Sequence, residues 1–177
     1  MAHIEIREIM PEDAEELIAC IKKTGGETDN LSFGKEGLPV TPKQEREYLE
    51  QMHCAERSVH YGVWKDGELA GNGSLSGLPR RMSHYADMAL AVVKEQWNKG
   101  IGGMLLEKLI GYAHQAGIEV IRLEVRSDNV GAIHLYEKYG FRRVGRLPAY
   151  FKIGNEYIDF EIMCLDLRCS GADRENG

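Results

Sequence analysis

The chain reads as a single α+β domain of α/β/α type: a mixed, mostly antiparallel sheet of about seven strands with flanking helices. Three observations predict it. Seven short stretches carry the strand period or a β-rich run, separated by Gly, Pro, Asn and Asp. Asp66-Gly67 lies between two of them and is the residue pair that favours a two-residue hairpin, hence antiparallel pairing. Over residues 85–126 a strand, a helical segment and a further strand follow with short connections, which requires a parallel pair and a right-handed crossover.

The elements follow in order. Ile4, Ile6 and Ile9 alternate with Glu5 and Arg7 as a half-buried first strand. Pro11-Glu12-Asp13 starts a helix, with Ala14, Leu17, Ile18 and Ile21 as its apolar stripe and Thr24-Gly25-Gly26 as its end. Residues 25–41 are rich in Gly, Asp, Asn and Pro and read as a long loop, in which Glu27, Asp29 and Phe33 are candidate substrate contacts. A second, peripheral helix starts at Thr41-Pro42 and runs to about residue 56. Strands are expected over 58–64, 68–78 and 85–93, and Gly71, Gly73 and Gly77 mark a bulge or close approach in the second of these.

In the strand at 85–93, Met88, Leu90 and Val92 share one face and Asp87, Ala89 and Ala91 the other, a slim face that leaves room for a ligand. A helix over 100–116 uses Ile101, Leu105, Leu109, Ala113 and Ala116, and Gly117 ends it. Residues 119–126 form the next strand. Ser127-Asp128-Asn129 caps a helix to residue 139. A strand from residue 141, broken at Pro148, and a long strand over 157–167 close the sheet.

Composition narrows the class. The length suits one domain over residues 1–168, with a polar, frayed tail at 169–177. A net charge of −6 speaks against a nucleic-acid surface and suits a cationic ligand. No apolar run spans a bilayer, so no membrane partner is expected, and the first residues lack a signal-peptide pattern, so the cytoplasm is the expected compartment. Cys20, Cys54, Cys164 and Cys169 form no zinc spacing and read as reduced, mostly buried thiols; no metal is expected.

The chain is organised around residues 92–106. A β-branched run ends in a charged turn, Gly100, Gly102 and Gly103 bend the chain, and an apolar helix starts at once. The first turn of a helix leaves its N–H groups unpaired and favours negative charge, and glycines let a pyrophosphate approach. Neither Walker nor Rossmann spacing is present. An ordinary glycine turn and a phosphate cradle therefore both fit this stretch alone.

A second pattern lies one helix and one strand later. Trp97-Asn98-Lys99-Gly100-Ile101-Gly102, followed by Asn129-Val130-Gly131-Ala132-Ile133-His134-Leu135-Tyr136-Glu137-Lys138-Tyr139-Gly140-Phe141, resembles the acetyl-CoA-binding core of the GNAT superfamily of N-acetyltransferases. The order of elements resembles that fold over nearly the whole chain. Trp97 departs from the family pattern, which has Arg or Gln at that position.

The resemblance implies acetyl-CoA as co-substrate, bound where the central parallel strands splay. Its pyrophosphate would lie on the backbone of Asn98, Lys99, Gly100, Ile101, Gly102 and Gly103, beside Trp97, and its pantetheine arm along Leu90, Ala91 and Val92. Asn129 would cap its helix and contact the arm. Tyr136 matches the family's general acid: a phenol of pKa about 10 keeps its proton where a thiol of about 8.5 begins to lose it. Asp87 aligns with an acidic position common in the family, either as a base acting through water or as a charge that attracts a cation. Glu124 is a further base candidate, and Tyr150 a further substrate contact.

The leading expectation is acetylation of a primary amine on a small molecule. A protein N-terminus or lysine is the alternative within the same chemistry. A non-catalytic acyl-CoA sensor and a nucleotide- or phosphosugar-binding protein are the other classes. A homodimer is the family prior, with the oligomeric state open.

Overall fold

The computed structural model describes residues 3–168; the tail expected at 169–177 and Cys169 lie outside the described residues. The strands are β1 (Ile4–Glu8), β2 (Ser58–Lys65), β3 (Glu68–Gly77), β4 (Tyr85–Val92), β5 (Val120–Arg126), β6 (Arg142–Ile153) and β7 (Glu156–Asp166). The helices are α1 (Ala14–Glu27), α2 (Pro42–Cys54), α3 (Ile101–Gln115) and α4 (Val130–Lys138), with short 3-10 turns at Pro11–Asp13, Arg80–Met82 and Lys94–Gln96. One seven-stranded sheet runs β1-β2-β3-β4-β5-β7-β6, antiparallel except for β4 and β5. β7 thus inserts between β5 and β6, and β6 is the outer strand.

Local chemistry explains most boundaries. Asp66 and Gly67 both take positive φ, 52° and 88°, as a tight turn of primed type requires. Thr41 caps α2 by accepting from Gln44 N–H, and the Gln44 side chain returns the bond to Thr41 N–H at 2.9 Å. On α3, Ile101, Leu105, Leu109 and Ala113 are buried as the stripe predicts, and Leu106 joins them.

Two boundaries differ from expectation. α1 does not stop at Gly25-Gly26 but runs on to Glu27. These glycines serve packing instead: a Cβ on Gly25 would collide with the carbonyl of Gly34, so the loop over residues 28–41 folds directly onto the helix. β6 continues through Pro148, but its pairing with β7 skips from Leu147↔Phe160 to Phe151↔Ile158. Ala149 bulges out there with φ 52°, and Asp159 pins it by accepting from Ala149 N–H at 2.8 Å and from Arg146.

Apolar packing covers both faces of the sheet. Met88, on the apolar face of β4, joins Leu75, Leu106, Leu109 and Ile121 under α3, with Leu90 packed against them. On the other face Leu17, Ile21, Leu49, Trp64 and Leu69 pack beneath α1 and α2. Glu16 ties α1 to the β2–β3 hairpin, accepting from Trp64 Nε1 at 3.0 Å and Leu69 N–H at 3.1 Å. Glu16→Ala leaves two half-buried donors without this acceptor. It is expected to lower the unfolding free energy in urea by about 2 kcal/mol with an unchanged m value; a stability equal to wild type would show that the tie carries nothing.

Among the described residues no helix is long and apolar enough to cross a membrane. Cys20 is buried, Cys164 partly buried and Cys54 exposed.

Candidate active site

The parallel strands part early. β4 and β5 pair only at Tyr85↔Val120, Ala86↔Ile121 and Asp87↔Arg122. Beyond that point β4 stays with β3 as far as Val92, and β5 stays with β7 as far as Arg126. The two edges diverge, and a cleft of about 1280 Å3 opens between them. It is larger than a typical pocket for one small ligand.

One end of the cleft meets the start of α3. Trp97, Asn98 and Gly102 line it, with Leu90, Ala91 and Val92 along the β4 wall. Asn98 and Gly100 are both left-handed, with φ of 59° and 87°. The first N–H of α3 to be satisfied is that of Met104, which donates to Gly100 O at 3.0 Å, so those of Ile101, Gly102 and Gly103 precede the helical ladder. A Cβ on Gly102 would stand 3.0 Å from Leu135, and one on Gly103 2.9 Å from the Tyr139 hydroxyl, so a side chain at either position would press on the end of a neighbouring side chain. Trp97 is tied down: its Nε1 donates to Val92 O at 2.7 Å, which closes the turn onto the end of β4. Lys99, Gly100, Ile101 and Gly103 do not line the cleft. The Ile101 side chain lies in the core, so only its backbone faces outward chemistry.

α4 forms the opposite wall. Asn129 caps it by accepting from Ala132 N–H at 3.3 Å and also lines the cleft. Tyr136, about two turns on, is 7% exposed, packs against Phe141 with ring centroids 5.7 Å apart, and lines the cleft. Its hydroxyl has no partner among the described residues, and burial pushes its pKa up to about 12. The group therefore holds its proton throughout the neutral range.

A family model described as the acetyltransferase (GNAT) family matches residues 28–141. The chain is 35% identical over 135 residues to the ribosomal protein bS18-alanine N-acetyltransferase of Escherichia coli K12, covering 67% of this chain and 91% of that protein. This chain belongs to the GNAT family. It is also 35% identical over 96 residues to N-alpha-acetyltransferase RimI of Mycobacterium tuberculosis; that match covers 53% of this chain and only 59% of the relative's length. The crystal structure of the acetyltransferase of GNAT family from Streptococcus pneumoniae superposes with a TM-score of 0.90 at 29% identity, over 93% of this chain and 99% of that one.

Within this GNAT chain the two acids proposed as bases differ in surroundings. Asp87 is clamped by Arg122, which donates to it through Nε at 2.7 Å and Nη2 at 3.0 Å. Hydrogen bonding to Asp87 raises the Arg122 guanidinium further. Glu124, one step along β5 on the same face, forms no ion pair among the described residues and lines the cleft. The bulge at Ala149 brings Tyr150 to the same cleft, where hydrogen bonding to Glu124 raises the phenol's pKa.

Asp29 and Phe33 line the cleft from the loop over residues 28–41. Glu27 does not. It ends α1 and accepts from Lys94 N–H at 2.7 Å, which ties the helix end to the turn before α3. Arg126 is held by Asp128 at 2.7 Å and by the Asp29 carbonyl at 3.2 Å.

Several lining residues escaped the sequence reading: Glu45 and Tyr48 on α2, His60 on β2, Asn72 and Ser74 on β3. A signal existed for three of them. His60, Asn72 and Ser74 are polar residues at same-face positions of β2 and β3, where the other face is mostly apolar. No such signal existed for Glu45, because α2 looks peripheral in sequence and its buried side depends on what covers it.

Proposed function

We propose that the protein transfers the acetyl group of acetyl-CoA to a primary amine of a small molecule by direct attack. One observation carries this: the gap between β4 and β5 opens at one end on free N–H groups at a glycine-lined helix start and is flanked by a buried phenol with no protein partner. Acyl transfer to an amine needs a neutral nucleophile, a donor for the developing oxyanion and a proton for the leaving sulfur.

The residues fit the co-substrate. A Cβ on Gly102 would press on Leu135, and the N–H groups that precede the helical ladder suit a diphosphate. Leu90, Ala91 and Val92 would line the pantetheine arm and Asn129 would face it. Bound acetyl-CoA supplies the activated acyl group. Tyr136 holds a proton at the sulfur end of the gap. Glu124 is the better base of the two candidates, because the Asp87 carboxylate is already taken by Arg122 and acts through that pair as a fixed charge. Trp97, where the family has Arg or Gln, secures the turn instead of reaching a phosphate.

The peptide alternative is favoured by the relatives that act on ribosomal protein bS18 and N-alpha groups, the small-molecule reading by the relative that is an L-amino acid N-acetyltransferase. The small-molecule reading is favoured by the inner arm of the cleft, roofed by α2 and by the loop over residues 28–41. A screen of CoA thiol release separates them. Wild-type protein is expected to turn over small primary amines faster than N-terminal peptides. Faster peptide turnover would overturn the substrate class. No turnover with any amine, despite bound acetyl-CoA, would overturn the enzyme reading in favour of an acyl-CoA sensor.

A further inference from the structure

The cleft extends from the β4–β5 gap across the sheet to a chamber beneath α2. Glu45 and Tyr48 reach it from the helix, and His60, Asn72 and Ser74 from the sheet. His60 sits directly across from Ser74 in the β2–β3 register.

Two acceptors in this chamber have no donor bonded to them. Glu45 is only 5% exposed, yet its carboxylate makes no hydrogen bond or ion pair among the described residues. His60 is 6% exposed. Its Nε2 meets Asn72 Oδ1 at 3.1 Å, and Asn72 Nδ2 donates onward to Cys20 Sγ at 3.9 Å. That chain makes the Asn72 oxygen the acceptor and His60 Nε2 the donor, so Nδ1 carries a bare lone pair. Nδ1 is also the one buried side-chain polar atom without a partner among the described residues. The Tyr48 ring meets the imidazole edge-on at 6.3 Å between centroids. A carboxylate, a lone pair and an aromatic ring on one stretch of the cleft wall are what an ammonium, with three donors and a positive charge, satisfies together.

The charges along the rest of the cleft point the same way. Both lining arginines are neutralised, Arg122 by Asp87 and Arg126 by Asp128. The acids left over on the lining are Asp29, Glu45 and Glu124. From β4 to β2 is two strand spacings, roughly 10 Å.

We propose that this chamber seats a second ammonium of the acceptor. The substrate is then a linear di- or polyamine whose far cation, roughly 10 Å from the attacked nitrogen by the strand spacing, is held by Glu45 and His60. This rests on the acetyl-transfer reading for the chemistry at the near end. There an N–C bond forms and the C–S bond breaks. One proton leaves the nitrogen and one reaches the sulfur, giving a mono-N-acetylated diamine and CoA thiol.

The test compares α,ω-diamines, from 1,3-diaminopropane to 1,8-diaminooctane, with amino alcohols of equal length whose far end is neutral. Thiol release gives kcat and KM, and calorimetry without acetyl-CoA gives binding. Wild-type protein is expected to prefer the longer diamines over their amino alcohols by at least tenfold in kcat/KM, through KM. Glu45→Gln and His60→Gln are each expected to raise the diamine KM at least tenfold. Equal kinetics for diamine and amino alcohol in wild type, or a preference that survives in folded Glu45→Gln, would overturn the proposal, and the first comparison needs no variant. If no amine is acetylated but 1,8-diaminooctane binds wild type and not Glu45→Gln, the chamber stands and the acetyl-transfer reading falls.

Discussion

Tyr136→Phe is expected to lower kcat for acetyl transfer by about a hundredfold or more, the usual weight of a positioned general acid, with little change in the affinity for acetyl-CoA. The hydroxyl has no partner among the described residues, so its removal leaves no orphaned group, and Phe keeps the packing against Phe141. A loss of activity would therefore report chemistry and not unfolding, and circular dichroism checks that. Burial, which lifts the phenol to about 12, fixes the sign of the pH dependence. The acid form is present below that value and is lost as pH rises through it. Wild-type kcat should then rise with pH as the amine loses its proton, and show no descending limb attributable to this group before the strongly alkaline range. A variant with wild-type kcat at every pH would remove Tyr136 from the mechanism.

The second large effect is expected at the glycine corner. Gly102→Val places a branched side chain where even a Cβ would stand 3.0 Å from Leu135 and 4.0 Å from Leu90. It crowds the contact between α3 and α4 at the cleft end where Gly102 lines the wall. Acetyl-CoA affinity measured by calorimetry should fall at least tenfold, about 1.4 kcal/mol, with the deficit appearing in KM for acetyl-CoA more than in kcat at saturation. Unchanged affinity in a folded variant would mean that the diphosphate is held elsewhere.

The order and type of the elements could be read because local rules agreed with the fold. Asp66-Gly67 needed positive φ at both positions, Thr41-Pro42 and Asn129 carried their caps, and residues 85–126 had one sensible topology. The glycines at 100–103 could be read because close approach and a left-handed turn leave few other residue types possible. What escaped depends on partners distant in sequence. Gly25 and Gly26 look like a helix stop until the loop at Gly34 is seen pressing on them.

Asp87 looks like a free acid on a slim face until the parallel register sets Arg122 opposite it. His60, Asn72 and Ser74 share one face of β2 and β3, but nothing local in the sequence says that Glu45 of α2 lines the same cleft. The bulge at Ala149 arises from pairing with β7 and from Asp159, neither of which Pro148 announces.

The most direct test is a crystal structure with a non-hydrolysable thioether analogue of acetyl-CoA. The account predicts the diphosphate against the backbone of residues 98–103, the pantetheine arm in the gap between β4 and β5, and the Tyr136 hydroxyl within hydrogen-bonding reach of the sulfur. An analogue bound away from the glycine corner, or a Tyr136 hydroxyl remote from the sulfur, would contradict it.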